Sequence, residues 1–273
     1  MKAKEVTLVI GGTGKTGRRV AGRLEALGVP VRIGSRQGDP AFDWERPETW
    51  APCLQGVRQV YLAYAPDLAV PGAVDHVQAF CNVASDLGVR RVVLLSGRGE
   101  PEAQRGEQVV QRSGLSWTIL RCSWFAQNFS EGHLLEPTMS GTVALPAGDV
   151  SEPFVDVDDI ADVAVAALTD AKHAGKLYEL TGPRLLTFAE AAREIAKATG
   201  RCVSYVPVSA QAYCAELSHV LPREIAEFLT ALFTEVLDGR NAWVASGVQE
   251  ALGRPARDFA DYAKTAASQG AWA

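Results

Sequence analysis

Several things are scarce in this chain, and each scarcity closes off a class of function. Five cysteines stand at 53, 81, 122, 202 and 214. Their number is odd and no two have C-x-x-C spacing, which argues against a disulfide framework and for reduced thiols in a cytoplasmic protein. The four histidines, at 76, 133, 173 and 219, form neither H-E-x-x-H nor a Cys/His cluster, so no metal site is expected. No apolar run approaches the length that spans a bilayer, and no membrane association is expected. The opening Met-Lys-Ala-Lys-Glu runs straight into a strand, so no signal peptide is expected. The net charge is −5 and the arginines gather into no basic block, which argues against a nucleic-acid surface. No tyrosine is followed four residues later by lysine: those positions hold Ala65, Leu68, Gly182, Ser209, Leu217 and Ala266.

What is present is glycine, concentrated at one point. Val6–Ile10 reads as a strand, glycines follow at 11, 12, 14 and 17, and Arg18–Leu27 reads as a helix stopped by Gly28. A strand, a glycine turn and a helix allow a diphosphate to approach the backbone and the free N–H groups of a helix start. The spacing fits Gly11-x-x-Gly14-x-x-Gly17 or Gly12-x-Gly14-x-x-Gly17. A nucleotide-hydrolase loop ending in Gly14-Lys15-Thr16 would need a glycine where Val9 stands. A glycine turn without a ligand is the remaining alternative.

Short apolar runs then alternate with amphipathic stretches. Strands are expected at Val31–Gly34, Val57–Ala63, Arg91–Leu95, Trp117–Arg121 and Leu177–Leu180. Helices are expected at Thr49–Leu54, Ala73–Leu87, Glu102–Arg112, Asp158–Leu168 and Thr187–Ala198, the last with Thr187 and Glu190 as a capping box. This pattern predicts an α/β fold: a Rossmann-like, doubly wound parallel sheet with a smaller, mostly helical C-terminal cap. The expected division is 1–150 for the dinucleotide-binding core, 151–208 for a mixed segment and 209–273 for the cap. Trp243, Phe228, Phe233 and Tyr262 read as cap core.

The end of the second strand separates the two nicotinamide dinucleotides. An acidic residue there would bond a ribose diol, whereas a basic one accommodates a 2′-phosphate. The chain has Ser35-Arg36 and no acid, with Lys15 nearby in the glycine turn, so NADP(H) is preferred over NAD(H). A solvated Arg36 is the plain alternative. Trp44 suits either adenine contact or packing.

GGTGKTG at 11–17, Ser35-Arg36, Phe42-Asp43-Trp44, Leu94-Leu95-Ser96, Ser113-Gly114-Leu115, TILR at 118–121, WFAQNF at 124–129 and PFVDVDDIA at 153–161 occur in that order. Over nearly its full length the chain resembles the NmrA-like atypical short-chain dehydrogenases, and within them the ergot-alkaloid dehydrogenase branch, which reduces iminium carbons with NADPH. The resemblance implies cofactor contacts at Gly11, Thr13, Gly14, Lys15, Thr16, Gly17, Ser35 and Arg36. It adds Ala63, Tyr64, Ala65 and Pro66, then Ser96 and Gly97. It also brings Cys122, Ser123, Trp124 and Phe125 near the hydride.

Classical short-chain dehydrogenases donate a proton through Tyr-x-x-x-Lys, which is absent here, and the lysine some relatives use past the Arg91–Leu95 strand is replaced by Arg98. Arginine holds its proton too tightly to serve as a general acid. An iminium carbon needs only hydride, with orientation and electrostatics supplied by the site. The leading expectation is therefore an NADPH-dependent reductase of an imine or iminium, an enone or a carbonyl. Tyr64, Trp124, Phe125 and Asn128 line the substrate pocket in this reading, and Tyr64 is the auxiliary proton donor. The alternatives are a non-catalytic NADP(H) sensor and a non-redox Rossmann enzyme. A small-molecule substrate is the expected partner, and a homodimer is left open. Glu107 reads as an exposed helical carboxylate or a substrate contact. Asp156, Asp158 and Asp159 read as helix-capping acids, and Cys122 as a packing thiol.

Overall fold

The computed structural model describes residues 5–273. They fall into two compact units. The first comprises residues through Cys122, Val157–Leu180 and Ser246–Arg254; the second comprises Ser123–Asp156, Thr181–Ala245 and Pro255–Ala273. This division differs from the three contiguous segments expected, because the chain leaves the sheet at Cys122 and twice returns to it. On the second return Gly247 lies so close to the strand at 176–180 that a Cβ would overlap the Glu179 carbonyl.

The first unit is built on six parallel strands: β1 (Val6–Ile10), β2 (Val31–Gly34), β3 (Val57–Leu62), β4 (Arg91–Gly97), β5 (Ser116–Cys122) and β6 (Lys176–Leu180). Their spatial order is β2-β1-β3-β4-β5-β6. Helices α1 (Lys15–Ala26), α2 (Ala73–Asp86), α3 (Pro101–Arg112) and α4 (Val157–Thr169) lie between them in sequence. The doubly wound parallel sheet is thus as expected, with strand bounds within two residues. The order reverses between β1 and β3, and ligands of such sheets bind outside the carboxyl ends at that switch point.

Alternation along the strands makes two buried faces. Leu8, Ile10, Val60, Leu62, Val92, Leu94 and Ile119 pack with Trp50, Val77, Phe80 and Val110. Their sequence neighbours Val9, Tyr61, Val93 and Leu120 are equally inaccessible to solvent. Trp44 belongs to the first cluster, so its role is packing. Arginines hold α4: Arg23 of α1 meets Asp158 at 2.6 Å and Asp162 at 2.8 Å, and Arg254 of the second return meets the buried Asp159 at 2.8 Å. Asp158 and Asp159 do open α4 as expected. Asp156, which directly precedes the helix, accepts from the Gln127 amide at 2.7 Å, within the second unit.

The second unit is not wholly helical. Thr142–Leu145 pairs in parallel with Ser204–Pro207, and Ser151–Glu152 pairs antiparallel with Leu186–Thr187. Neither pair was anticipated, because two to four residues are too few to show a period. Phe188–Thr199, Ala210–Leu217, Arg223–Val236 and Phe259–Ser268 are its longer helices. The capping box of Thr187 and Glu190 is formed. Its core gathers Phe129, Phe154, Phe188, Phe233, Phe259, Tyr262 and Trp272. Trp243 is 49% exposed and therefore not a core residue. The helix Gly247–Leu252 belongs to the first unit, so 209–273 is not one cap.

Candidate active site

The glycine turn follows β1 directly, and its geometry explains the residue types. Gly11 has φ +68° and lies against Ala63, which its Cβ would meet at 3.2 Å. A Cβ on Gly12 would press on Ile33 at 2.8 Å. A Cβ on Gly17 would overlap the Gly11 carbonyl. The turn is therefore closed on its protein side and open on the other, where Thr13 and Gly14 are exposed. Gly14 caps α1 with extended backbone; no side chain caps the helix and no acid stands in its first turn. No acid of the helix's own first turn competes for the N–H groups that open α1, which suits an anion. A diphosphate fits this cradle, with Gly11, Thr13, Gly14, Lys15, Thr16 and Gly17 as its walls.

At the end of β2 the Ser35 carbonyl accepts from Gly38 and Phe42, at 3.0 and 2.8 Å, which folds the chain into a turn. Arg36 projects from that turn, exposed. It makes no hydrogen bond or ion pair among the described residues. A guanidinium left unmatched here is available to a phosphate.

After β3, Ala63 is buried while Ala65 and Pro66 are exposed. Tyr64 lies with its ring 4.6 Å from Trp44 and its hydroxyl 2.7 Å from His76 Nδ1. Burial, and then the nearby Glu45, hold its pKa above the ordinary phenol range. Tyr64 thus sits in the aromatic cluster of the first unit, whereas Trp124, Phe125 and Asn128 belong to the second.

Ser96 is not a loop residue but the penultimate residue of β4, and its hydroxyl donates to Glu107 at 2.6 Å. Glu107 is 2% exposed, which corrects the expectation of a surface carboxylate. Register explains its burial. Ser96, Arg121 and Glu179 are opposite one another across β4, β5 and β6. Arg121 grips Glu107 through two bonds of 2.9 and 2.5 Å and reaches Glu179 at 3.0 Å. The Glu107 bonds hold the Arg121 guanidinium above its usual pKa. The buried Arg98 meets Glu179 at 3.3 Å, so it is part of this ion network. Gly97 is half-buried and packs so closely on Glu100 that a Cβ would overlap its carboxylate.

Cys122 ends β5, and its thiol donates to the Leu120 carbonyl at 3.5 Å. Burial, and then Glu100, push its pKa up, and the residue is 4% exposed. In the second unit, Ser123 donates to the Pro153 carbonyl at 2.6 Å. The Trp124 ring is half-buried, with centroids of Phe233, Phe188 and His133 at 5.0, 5.6 and 6.0 Å. Phe125 bridges Val155. Asn128 opens a short helix, and its carbonyl accepts from Leu134 at 3.2 Å. The Tyr213 ring lies 5.8 Å from Phe233. Among the described residues no group of His, Cys, Asp or Glu could hold a metal, and no helix is long and apolar enough to cross a membrane.

Comparison with known proteins places this geometry in a family. Residues 11–171 match the NAD(P)H-binding family model, and residues 105–255 match the NmrA-like family. An uncharacterized oxidoreductase of Bacillus subtilis is 34% identical, with 96% of each chain covered. An NAD(P)H azoreductase of Xenophilus azovorans is 32% identical over 96% of this chain and 98% of its own. Agroclavine dehydrogenase of Claviceps fusiformis is 32% identical over 93% and 95%. Among solved structures, a nucleoside-diphosphate-sugar epimerase of Staphylococcus aureus superposes with TM-score 0.80 at 17% identity, covering 95% and 99%. An NADPH-dependent quinone oxidoreductase of Escherichia coli, in complex with NADPH, does so with TM-score 0.75 at 22% identity, again over 95% and 99%. The chain belongs to the NmrA-like family of NAD(P)H-dependent oxidoreductases.

Proposed function

We propose that this protein is an NADPH-dependent reductase that delivers hydride to a small, flat, conjugated organic acceptor. The acceptor carbon is part of an imine or iminium, an enone or a carbonyl. When bound, NADPH supplies the hydride from its nicotinamide. The protein's residues bind and orient. The glycine turn and the start of α1 hold the diphosphate, with Lys15 contributing charge. Ser35 and Arg36 take the 2′-phosphate in place of a diol-binding carboxylate. The loop of Ala63, Ala65 and Pro66 flanks the same switch point. Gly97 and Cys122 contribute backbone and bulk at the strand ends, and Ser96 supports them through Glu107.

The observation that carries the reading is the exposed, unpaired Arg36 beside a glycine turn shaped for a diphosphate. The absence of a proton relay supports an acceptor that is already electron-poor. Tyr64 is the proposed auxiliary proton donor, and its hydroxyl is paired with His76 Nδ1. The relatives and neighbours named above include an azoreductase, a quinone oxidoreductase and agroclavine dehydrogenase, and their names support reduction of a small organic acceptor. Trp124, Phe125 and Asn128 are the proposed contacts of the acceptor. The test is NADPH consumption, followed at 340 nm, with cyclic imines, quinones and enones. Turnover with at least one class is expected. Tight NADPH binding without any turnover would instead support the sensor.

A further inference from the structure

Along the stretch 123–130 of the second unit, the residues proposed to touch the acceptor alternate with anchors. Trp124, Phe125 and Asn128 are half-buried, whereas Ser123, Ala126, Gln127, Phe129 and Ser130 are buried. Pro153, Val155 and Asp156 hold the first three anchors. Ser123 donates to the Pro153 carbonyl at 2.6 Å, the Ala126 N–H to the Val155 carbonyl at 2.9 Å, and the Gln127 amide to Asp156 at 2.7 Å. The last two are held from much further along the chain. The Trp272 indole N–H donates to the Phe129 carbonyl, and the Tyr262 hydroxyl to the Ser130 hydroxyl, both at 2.8 Å. These partners lie 143 and 132 residues away in sequence.

Asn128–Glu131 is a single helical turn. One turn is not stable by itself, and its last carbonyls find no partner inside the helix. Its shape therefore depends on donors from outside. The Asn128 carbonyl meets the Leu134 N–H at 3.2 Å, and the Phe129 carbonyl meets Trp272. Trp272 is fixed in turn. It is 3% exposed, its ring lies 6.2 Å from Tyr262, and its carbonyl accepts from Arg201, which also donates to the Met139 carbonyl at 2.6 Å. Tyr262 is 5% exposed. All of these residues belong to the second unit. Resting on the reductase reading above, we infer that Trp272 and Tyr262 are positioning residues: by holding Phe129 and Ser130 they fix the turn that presents Asn128 to the acceptor.

Benzothienylalanine at 272 keeps the bicyclic ring and removes the N–H, and Tyr262→Phe keeps the ring and removes the hydroxyl. Amide hydrogen exchange reads the turn without any acceptor. Residues 126–134 are expected to exchange about tenfold faster in each variant, and Val157–Thr169 at the parent's rate. Turnover is followed with whichever of menadione, cyclohex-2-enone and 2-methyl-1-pyrroline the parent reduces fastest. The acceptor KM is expected to rise about tenfold, with kcat within about threefold of the parent's. Thermal unfolding and NADPH affinity near the parent's confirm a folded protein. Arg184→Ala removes a surface pair of the same unit and is expected to leave the acceptor KM unchanged, which separates positioning from general loosening. Unchanged exchange at 126–134, an unchanged acceptor KM, a loss confined to kcat, or an equal rise of KM in Arg184→Ala would overturn the inference. A parent enzyme that turns over no imine, quinone or enone would remove the reductase reading itself, a failure visible before any variant is made.

Discussion

In the first unit the proposed binding surface is defined by side chains that are missing. Gly11, Gly12, Gly14 and Gly17 leave backbone open at the turn, and in the proposed reading specificity rests on one exposed cation, Arg36. In the second unit the proposed acceptor surface is made of side chains: the Trp124 ring meets Phe188 and Phe233 edge to face, and Tyr213 lies tilted against Phe233. The first kind of site suits a ligand that is always the same, because backbone cannot change by single substitutions. The second suits a ligand that varies between relatives, since each ring can be exchanged for another. The polar interior divides similarly. The first unit holds a charge network across β4, β5 and β6, whereas the second relies on an aromatic core and on surface pairs such as Arg184 with Asp258 at 2.7 Å.

The contrast can be broken most severely at Gly17. Gly17→Val drives a branched side chain into the Gly11 carbonyl. NADPH binding is expected to vanish in calorimetry, with a stability loss of about 1–3 kcal/mol by denaturant titration. Retained nucleotide affinity would mean that the turn is not the cradle. Arg36→Glu tests the lone cation: NADPH affinity should fall about a hundredfold and NADH affinity much less. Equal effects would remove Arg36 from phosphate recognition. Glu107→Ala leaves the partly buried Arg121 without its bidentate partner. A loss of about 3 kcal/mol is expected in urea unfolding, against little change if the network is solvated.

His173 provides a pH test confined to the first unit. It is 1% exposed and bonds the Tyr178 hydroxyl at 2.9 Å. Burial, and then Lys172, hold its pKa below 6.5. The folded state therefore binds fewer protons than the unfolded state below that pH. Stability should be level above pH 6.5 and decline on acidification, by at most about 1.4 kcal/mol per pH unit from this group. His173→Gln should flatten that decline in midpoints measured from pH 7 to 5; an unaltered slope would assign it elsewhere. The smallest effect is expected in the second unit. Arg184 and Asp258 are partly exposed, so Arg184→Ala should cost about 1 kcal/mol or less and cost less still in high salt.

The sheet was legible in the sequence because each strand is a short apolar run bounded by glycine or a helical period, as at Val6–Ile10 and Val31–Gly34. The cradle was legible for the same reason: glycine at a turn carries a backbone requirement that shows in one dimension. Glu107 was not legible. Its burial depends on Arg121 and Glu179, 14 and 72 residues away, meeting across a parallel register that no local pattern encodes. The strand pair of Thr142–Leu145 and Ser204–Pro207 was hidden for a similar reason, since each is four residues long and its partner is distant. Tyr64 was recognised as notable, but its partner His76 lies one helix further on. The chain's return at Ser246–Arg254 was masked by a helical pattern that reads the same in either unit.

The most direct measurement is a calorimetric titration of the purified protein with NADPH and, separately, with NADH. One site is expected for NADPH, filled at least about tenfold more tightly than by NADH. Equal affinity would contradict the role given to Ser35 and Arg36, and no heat with either nucleotide would contradict the account as a whole.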